Sequence, residues 1–315
     1  MAREANLGIA SGEKGCGKTY TTLQIQVTNT LSGGGGRYPK RKVLFLDTNN
    51  EYGNVRADHQ NPNFPEIKAL AVKDLPKWVK HPTIDARRIS VMKPLSEGGG
   101  KRNTKELQDV LSQILQHFRN GLLVVEDMTN FVSDSLPSDL VGSIVTQRHM
   151  SVDVIIHFQS IGKTAHPKLW ANCNWFRFHK TGDTVLKNKN KLTGDLTALY
   201  IAEKMIEKKA REGDKRFYVY YHRSTHSKLV GKLQGAFNEA MFKQAVEEYL
   251  QDNMSIVKKE AAREHLRTGG KIHENQGAAV DYLIDECFRK YYGNNSTKKI
   301  NSPTAEKMRN VDRKR

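Results

Sequence analysis

The octapeptide Gly12-Glu13-Lys14-Gly15-Cys16-Gly17-Lys18-Thr19 constrains this chain more than any other stretch of it. It matches G-x-x-x-x-G-K-[ST], the Walker A pattern, at every fixed position, and its setting is the one the pattern needs. Asn6 to Ser11 reads as a short strand running into the glycine loop, and Lys18 to Leu31 as a helix ended by the Ser32 to Gly36 run. Strand, tight loop and helix in that order turn successive backbone N–H groups toward one point, where the helix amino terminus adds its partial positive charge. Such a point holds phosphate. Lys18 is expected to reach the β and γ phosphates of ATP, and Thr19 to give its hydroxyl to Mg²⁺. The nucleotide-contacting set is Gly12, Glu13, Lys14, Gly15, Cys16, Gly17, Lys18 and Thr19, with Tyr20 following.

Mg²⁺ keeps several waters and leans on a carboxylate from another strand. Leu122 to Val125 is short and apolar on both faces, as a central parallel strand must be, and it ends in Glu126-Asp127. Glu126 is the candidate metal-supporting acid and Asp127 the candidate for polarising or positioning the attacking water. The usual order of such a pair is Asp then Glu, so the division of roles stays open; a solvated acidic turn is the plainer alternative. Gln159 follows the strand VDVIIHF directly, where a neutral amide can bind both phosphate and water, or simply close a strand. Arg148, at the end of the preceding helical stretch, is either an arginine finger for a neighbouring subunit's nucleotide or an ordinary surface arginine. The chemistry expected of this set is Mg-dependent hydrolysis of the β–γ phosphoanhydride bond.

Around these motifs strands alternate with helices. Lys42 to Asp47, Arg88 to Met92, Leu122 to Val125, Val152 to Phe158, Trp175 to His179 and Phe217 to His222 read as strands. Asn103 to Arg119, Ser138 to His149 and Leu196 to Arg211 read as helices between them. The expected fold is α/β, a P-loop NTPase of RecA/ASCE type with a mostly parallel sheet covered by helices on both faces. This domain should span residues 1–235. Residues 236–292 read as a small helical C-terminal appendage, with helices at Asn238 to Leu250, Ile256 to Leu266 and Ala278 to Tyr291. Residues 293–315 have almost no apolar side chains and five excess positive charges, and read as a disordered basic tail.

Composition narrows the partners. The net charge of +17 favours a polyanion such as DNA or RNA. No apolar run approaches the roughly 20 residues that span a bilayer, and the first residues lack the apolar stretch of a signal peptide, so the expected location is cytoplasmic. Three well-separated cysteines, Cys16, Cys173 and Cys287, indicate neither a disulfide framework nor a zinc site. The aromatic cluster Phe217, Tyr218, Tyr220 and Tyr221 is better explained by strand packing than by base stacking, whereas Lys187, Lys189 and Lys191 form either a grip on nucleic-acid phosphates, which the net charge favours, or a solvated loop.

With these residues in place, the chain resembles the FtsK/HerA superfamily of P-loop motor ATPases, particularly its viral genome-packaging branch. Asp47 followed by Thr48-Asn49-Asn50-Glu51-Tyr52 looks like the D-P-x-x-E-Y signature of HerA-type ATPases. Arg148 through Gln159 resembles the family's arginine, penultimate strand and glutamine block, and His166 to Cys173 is similar to the segment that follows. Ser160 stands where the family commonly has arginine then proline. The resemblance covers roughly residues 6–235. It implies a homo-oligomeric ring, pentamer or hexamer, with nucleotide at the subunit interfaces, Glu51 near the nucleotide, double-stranded DNA in the channel and a capsid portal as a docking partner. The function expected is ATP-driven DNA packaging in a phage or virus, acting in the host cytoplasm. The alternative is a nucleotide-dependent switch or assembly ATPase that binds DNA without pumping it. A small-molecule kinase would need an acceptor-binding lid, for which no segment is evident.

Overall fold

In the computed structural model the described residues are 5–50, 52, 65–127, 138–164, 167–192, 195–223, 227–231, 237–266 and 268–293. Among the described residues short runs supply nine strands: β1 Leu7–Ser11, β2 Lys42–Asp47, β3 Ile67–Ala69, β4 Ala86–Ser90, β5 Gly121–Val125, β6 Asp153–Phe158, β7 Trp175–His179, β8 Tyr218–His222 and β9 Lys228–Gly231. They form one sheet in the order β3-β4-β2-β5-β6-β1-β7-β8-β9. All pairings from β3 to β7 are parallel, and β8 and β9 are added antiparallel. The sheet is therefore mostly parallel, as expected, with an antiparallel edge.

Both faces of the central strands are buried, so their side chains divide by parity. Val43, Phe45, Leu122, Val124 and Ile155 pack on one face with Leu23 and Val27 of the helix after the loop. Leu44, Leu46, Leu123, Val125 and Ile156 pack on the other. This second face is covered by α3 Leu75–Lys80, α4 Thr104–His117, α5 Ser138–Thr146 and the later helices, following α1 Lys18–Thr21 and α2 Thr28–Gly36 on the first. α4 opens with a reciprocal cap: Asn103 Oδ1 accepts from Glu106 N at 2.9 Å, and Glu106 Oε2 from Asn103 N at 2.7 Å.

Local differences from the expected elements have local causes. Between α1 and α2 the helix widens to π geometry over Thr22–Val27, with Thr28 and Thr30 hydroxyls bonding the carbonyls of Leu23 and Gln26 at 2.9 and 2.7 Å. It ends where expected, at Gly33, Gly34 and Gly35, whose φ values are 69°, 60° and 70°. β4 begins two residues before Arg88 because Ala86 pairs with both Val43 and Ile67. β3, α3 and β9 are too short to show a period.

Short helices α6 Ile161–Thr164, α7 Pro167–Asn172 and α8 Val185–Asn188 lead to α9 Leu196–Arg211, and α10 Glu239–Asp252, α11 Met254–Ala261 and α12 Gln276–Tyr291 follow the sheet. α10 lies on α9, and its Phe242 and Val246 are buried in the same cluster as Phe176 and Phe178 of β7. Phe217, Tyr218 and Tyr221 are buried by strand packing, while Lys187, Lys189 and Lys191 are exposed around α8. No helix among the described residues is long and apolar enough to cross a membrane. The basic tail from residue 294, Glu51 and His166 lie outside the described residues.

Candidate nucleotide site

The strand order sets the carboxyl ends of β1, β6 and β5 side by side, where ligands of open α/β sheets bind. The glycine loop is strung between two neighbours: Gly12 N donates to Phe158 O at 3.1 Å and Glu13 N to Lys180 O at 2.7 Å. Gly17, at φ 89°, makes the turn into α1 that a side chain would oppose. At Gly12 the obstacle is packing, since an added β-carbon would stand 2.5 Å from Cys16 Sγ and 2.6 Å from His179 Cβ. Lys18 folds back on the loop, its Nζ donating to Gly12 O at 2.5 Å and Glu13 O at 2.9 Å. Those carbonyls occupy the ammonium that a phosphate would take. Lys14 and Tyr20 are exposed, and Cys16 is buried beneath the loop, its thiol pKa raised by that burial.

The two acids at the end of β5 separate in space. Glu126 is buried, and its Oε1 lies 3.2 Å from Thr19 Oγ1, which donates to it. The same oxygen accepts the hydroxyl of Tyr52. Asp127 turns the other way, at φ 37°, a left-handed conformation uncommon for a non-glycine residue. Its Oδ2 accepts from the amides of Gln159 and, at 3.5 Å, Asn49. Glu126 thus faces the Thr19 hydroxyl, whereas Asp127 and Gln159 form a pair between the neighbouring ends of β5 and β6.

Behind Glu126 runs a buried polar string that the sequence reading left unassigned. Val125 pairs with Ile156, so one residue on His157 stands level with Glu126. His157 Nδ1 lies 2.9 Å from Glu126 Oε1, close but too oblique for a well-aligned hydrogen bond, and Nε2 is 2.8 Å from Thr22 Oγ1. Thr22 Oγ1 accepts from Arg177 Nη2 at 2.6 Å, leaving its own proton for His157 Nε2. We therefore assign the imidazole proton to Nδ1, facing Glu126. Arg177 is fully buried and also donates to Lys18 O at 3.0 Å, Gln26 Oε1 at 3.1 Å and Tyr220 Oη at 3.2 Å, all uncharged acceptors.

Burial alone would raise the Glu126 pKa, but His157, the Tyr52 hydroxyl and the Lys18 ammonium outweigh it, so the carboxyl sits below its ordinary value. Burial, with Arg177 and Lys18 nearby, holds His179 well below the usual imidazole range; its Nδ1 donates to Cys16 O at 3.1 Å. Asp47 joins the site at the end of β2, where its Oδ2 accepts from Tyr52 N at 3.2 Å and Arg88 Nη1 at 2.9 Å.

Of the expected site residues, Lys18, Thr19, Glu126, Asp127 and Gln159 meet at one end of the sheet. Arg148 lies on the turn Gln147–Met150 after α5, and its side chain is outside the described residues. His157, Thr22 and Arg177 were not singled out for the site from sequence, and Tyr52 entered only as the last residue of the stretch from Asp47. The signal for His157 and Arg177 was a polar side chain set between apolar neighbours in a short strand buried on both faces.

No protein-family model matches the chain, and no curated protein matches it by sequence. Among solved structures it is similar to the genome packaging NTPase B204 from Sulfolobus turreted icosahedral virus 2 in complex with ATP-gammaS, at 12% identity over 73% of this chain and 98% of that one, TM-score 0.46. It is similar also to the pCW3 conjugation coupling protein TcpA with ATPgS, at 15% identity over 78% and 65% of the two chains, TM-score 0.37. A third is the cytoplasmic domain of the Thermomonospora curvata type VII secretion ATPase EccC, at 11% identity over 72% and 24%, TM-score 0.37.

Proposed function

We propose that this chain is an ATP-hydrolysing, nucleic-acid-translocating motor subunit of the FtsK/HerA type, with double-stranded DNA packaging in a phage or virus as its task. The observation that carries the reading is the approach of Thr19 Oγ1 to Glu126 Oε1 at 3.2 Å, from the P-loop helix to a carboxylate two strands away. A nucleotide-binding loop alone would need no such partner. The contacts of Asp47 and Tyr52 with Arg88 and Glu126 give the HerA-like signature a physical role beside it.

In this reading Lys18 leaves the carbonyls of Gly12 and Glu13 for the β and γ phosphates, and the amides from Gly15 to Tyr20 hold the phosphate chain. Thr19 and Glu126 fit Mg²⁺, being an oxygen pair already in contact; when bound, the metal neutralises charge on the phosphate oxygens. Asp127 and Gln159 orient the attacking water, which needs position more than covalent help. Arg148 acts across a subunit interface, in a ring of five or six copies that docks on a capsid portal in the host cytoplasm. The net charge of +17 and the exposed lysines around α8 hold DNA by its phosphates.

The second reading is a switch or assembly ATPase, favoured by Glu126 being wrapped by Tyr52 and His157. Steady-state ATP turnover with and without double-stranded DNA separates the two, measured across protein concentration for wild type, Lys18→Ala and Arg148→Ala. A motor gives DNA-stimulated turnover that rises steeply with concentration and is lost in both variants. Slow turnover indifferent to DNA would leave the switch.

A further inference from the structure

α9 ends in a turn that stands over the glycine loop. Gly213, at φ 95°, stops the helix, and Asp214 N donates to Lys209 O at 2.9 Å. Asp214 Oδ1 then accepts from Arg216 N at 3.1 Å, and Phe217 is buried just before β8. The turn is held at both ends, and Arg216 lies on its loop-facing side: a β-carbon built on Gly17 would be 3.6 Å from Arg216 Cγ and 3.7 Å from its Cβ. The Arg216 stem therefore borders the space where a Gly17 side chain would stand, beside the residue that turns the loop into α1.

Its guanidinium is exposed and takes part in no ion pair or side-chain hydrogen bond among the described residues. The acids of its own turn are engaged elsewhere, Asp214 by the Arg216 backbone and Glu212 by Lys209 Nζ at 2.6 Å. Beside it a cavity of about 360 Å³ opens between Glu13 and the end of α9, lined also by Lys180, Glu207, Arg211 and Lys215. Three cations against two acids keep that side of the loop positive.

We propose that Arg216 is a phosphate-binding residue acting within its own subunit, closing its guanidinium from the solvent side over the α and β phosphates held by the amides of Gly17 to Tyr20. This rests on the nucleotide reading above. The backbone is held by Asp214, the stem lies beside Gly17, the head is uncommitted, and a guanidinium presents a fork of donors matched to phosphate oxygens. Those amides serve the α and β phosphates, which substrate and product share. Arg216 therefore grips ATP and ADP alike, unlike a residue that meets only the γ phosphate. Its place on the turn between α9 and β8 ties nucleotide occupancy to the antiparallel edge of the sheet.

Calorimetric titration of ADP and ATPγS with Mg²⁺ into wild type, Arg216→Ala, Arg216→Lys and Lys18→Ala tests this, with a thermal melt of each to show that it is folded. Arg216→Ala should weaken both ligands by about tenfold or more, the worth of one charge-assisted phosphate contact. Arg216→Lys should recover part of the loss, because charge is kept and the fork is not. Wild-type ADP affinity in Arg216→Ala overturns the proposal, as does a loss confined to ATPγS. Wild type that binds neither ligand overturns the nucleotide reading itself, and this inference with it.

Discussion

Tyr52, five residues past the end of β2, donates its hydroxyl to Glu126 at the end of β5. The contact closes a circuit across neighbouring strands, because Asp47 holds the Tyr52 backbone and Arg88 holds Asp47. Glu126 is thereby fixed from the β2 side by Tyr52 and from the β6 side by His157. Tyr52→Phe keeps the ring against Phe45, 4.2 Å away, and removes only the hydrogen bond. Turnover should fall about tenfold or more, the worth of one bond to a charged group. ADP affinity, measured by titration, should change little.

His157→Leu should lower turnover as well, for a different reason. It leaves Thr22 Oγ1 without its imidazole partner and Glu126 without its neighbour, both buried. The expected loss of stability is about 1–3 kcal/mol by urea denaturation. Unchanged stability together with unchanged turnover would show that the string plays no part in holding Glu126.

Arg41 and Asp153 form a buried pair at 2.6 Å, with side chains 9% exposed on each partner, at the opposite end of the sheet from the site. Arg41→Met should cost about 3–5 kcal/mol, because Asp153 is left charged and buried. The double variant Arg41→Met, Asp153→Leu should recover most of it. Equal loss in the single and double variants would mean that packing, not charge, is what the pair supplies.

Glu203, on α9, has its pKa raised to about 7 by burial, although Val185 N donates to its Oε1 at 2.9 Å. An acid whose folded pKa lies above its unfolded value of 4.5 binds more protons when folded between those two pH values. Its contribution is therefore present at low pH and lost as pH rises from about 4.5 through about 7. Urea denaturation of wild type against Glu203→Gln at pH 5 and pH 8 should show wild type losing up to about 3 kcal/mol relative to the variant. A pH-independent difference would remove Glu203 as the titrating group.

Much of the site was legible where local chemistry dictates form. The Walker octapeptide lies on a strand, loop and helix as its glycines and Lys18 demand, and LLVV followed by two acids is a central strand with carboxylates at its end. The strands KVLFLD and WFRFH were readable because burial on both faces leaves a short, largely apolar run, and the helix from Leu196 to Arg211 because burial on one stripe leaves a helical period. The three-residue β3 leaves none.

What the sequence by itself determined is the strand, glycine loop and helix of the octapeptide, the mostly parallel sheet and the two acids that end β5, since each follows from bond geometry, hydrophobic pattern and the chemistry of a few adjacent residues. Only the tertiary structure decided which acid faces Thr19, that Tyr52 and His157 flank it, and that Arg216 stands over Gly17. Those relations join residues between 31 and 199 positions apart. Strand order and register set them, and these are fixed by the packing of the whole core rather than by any local run of residues.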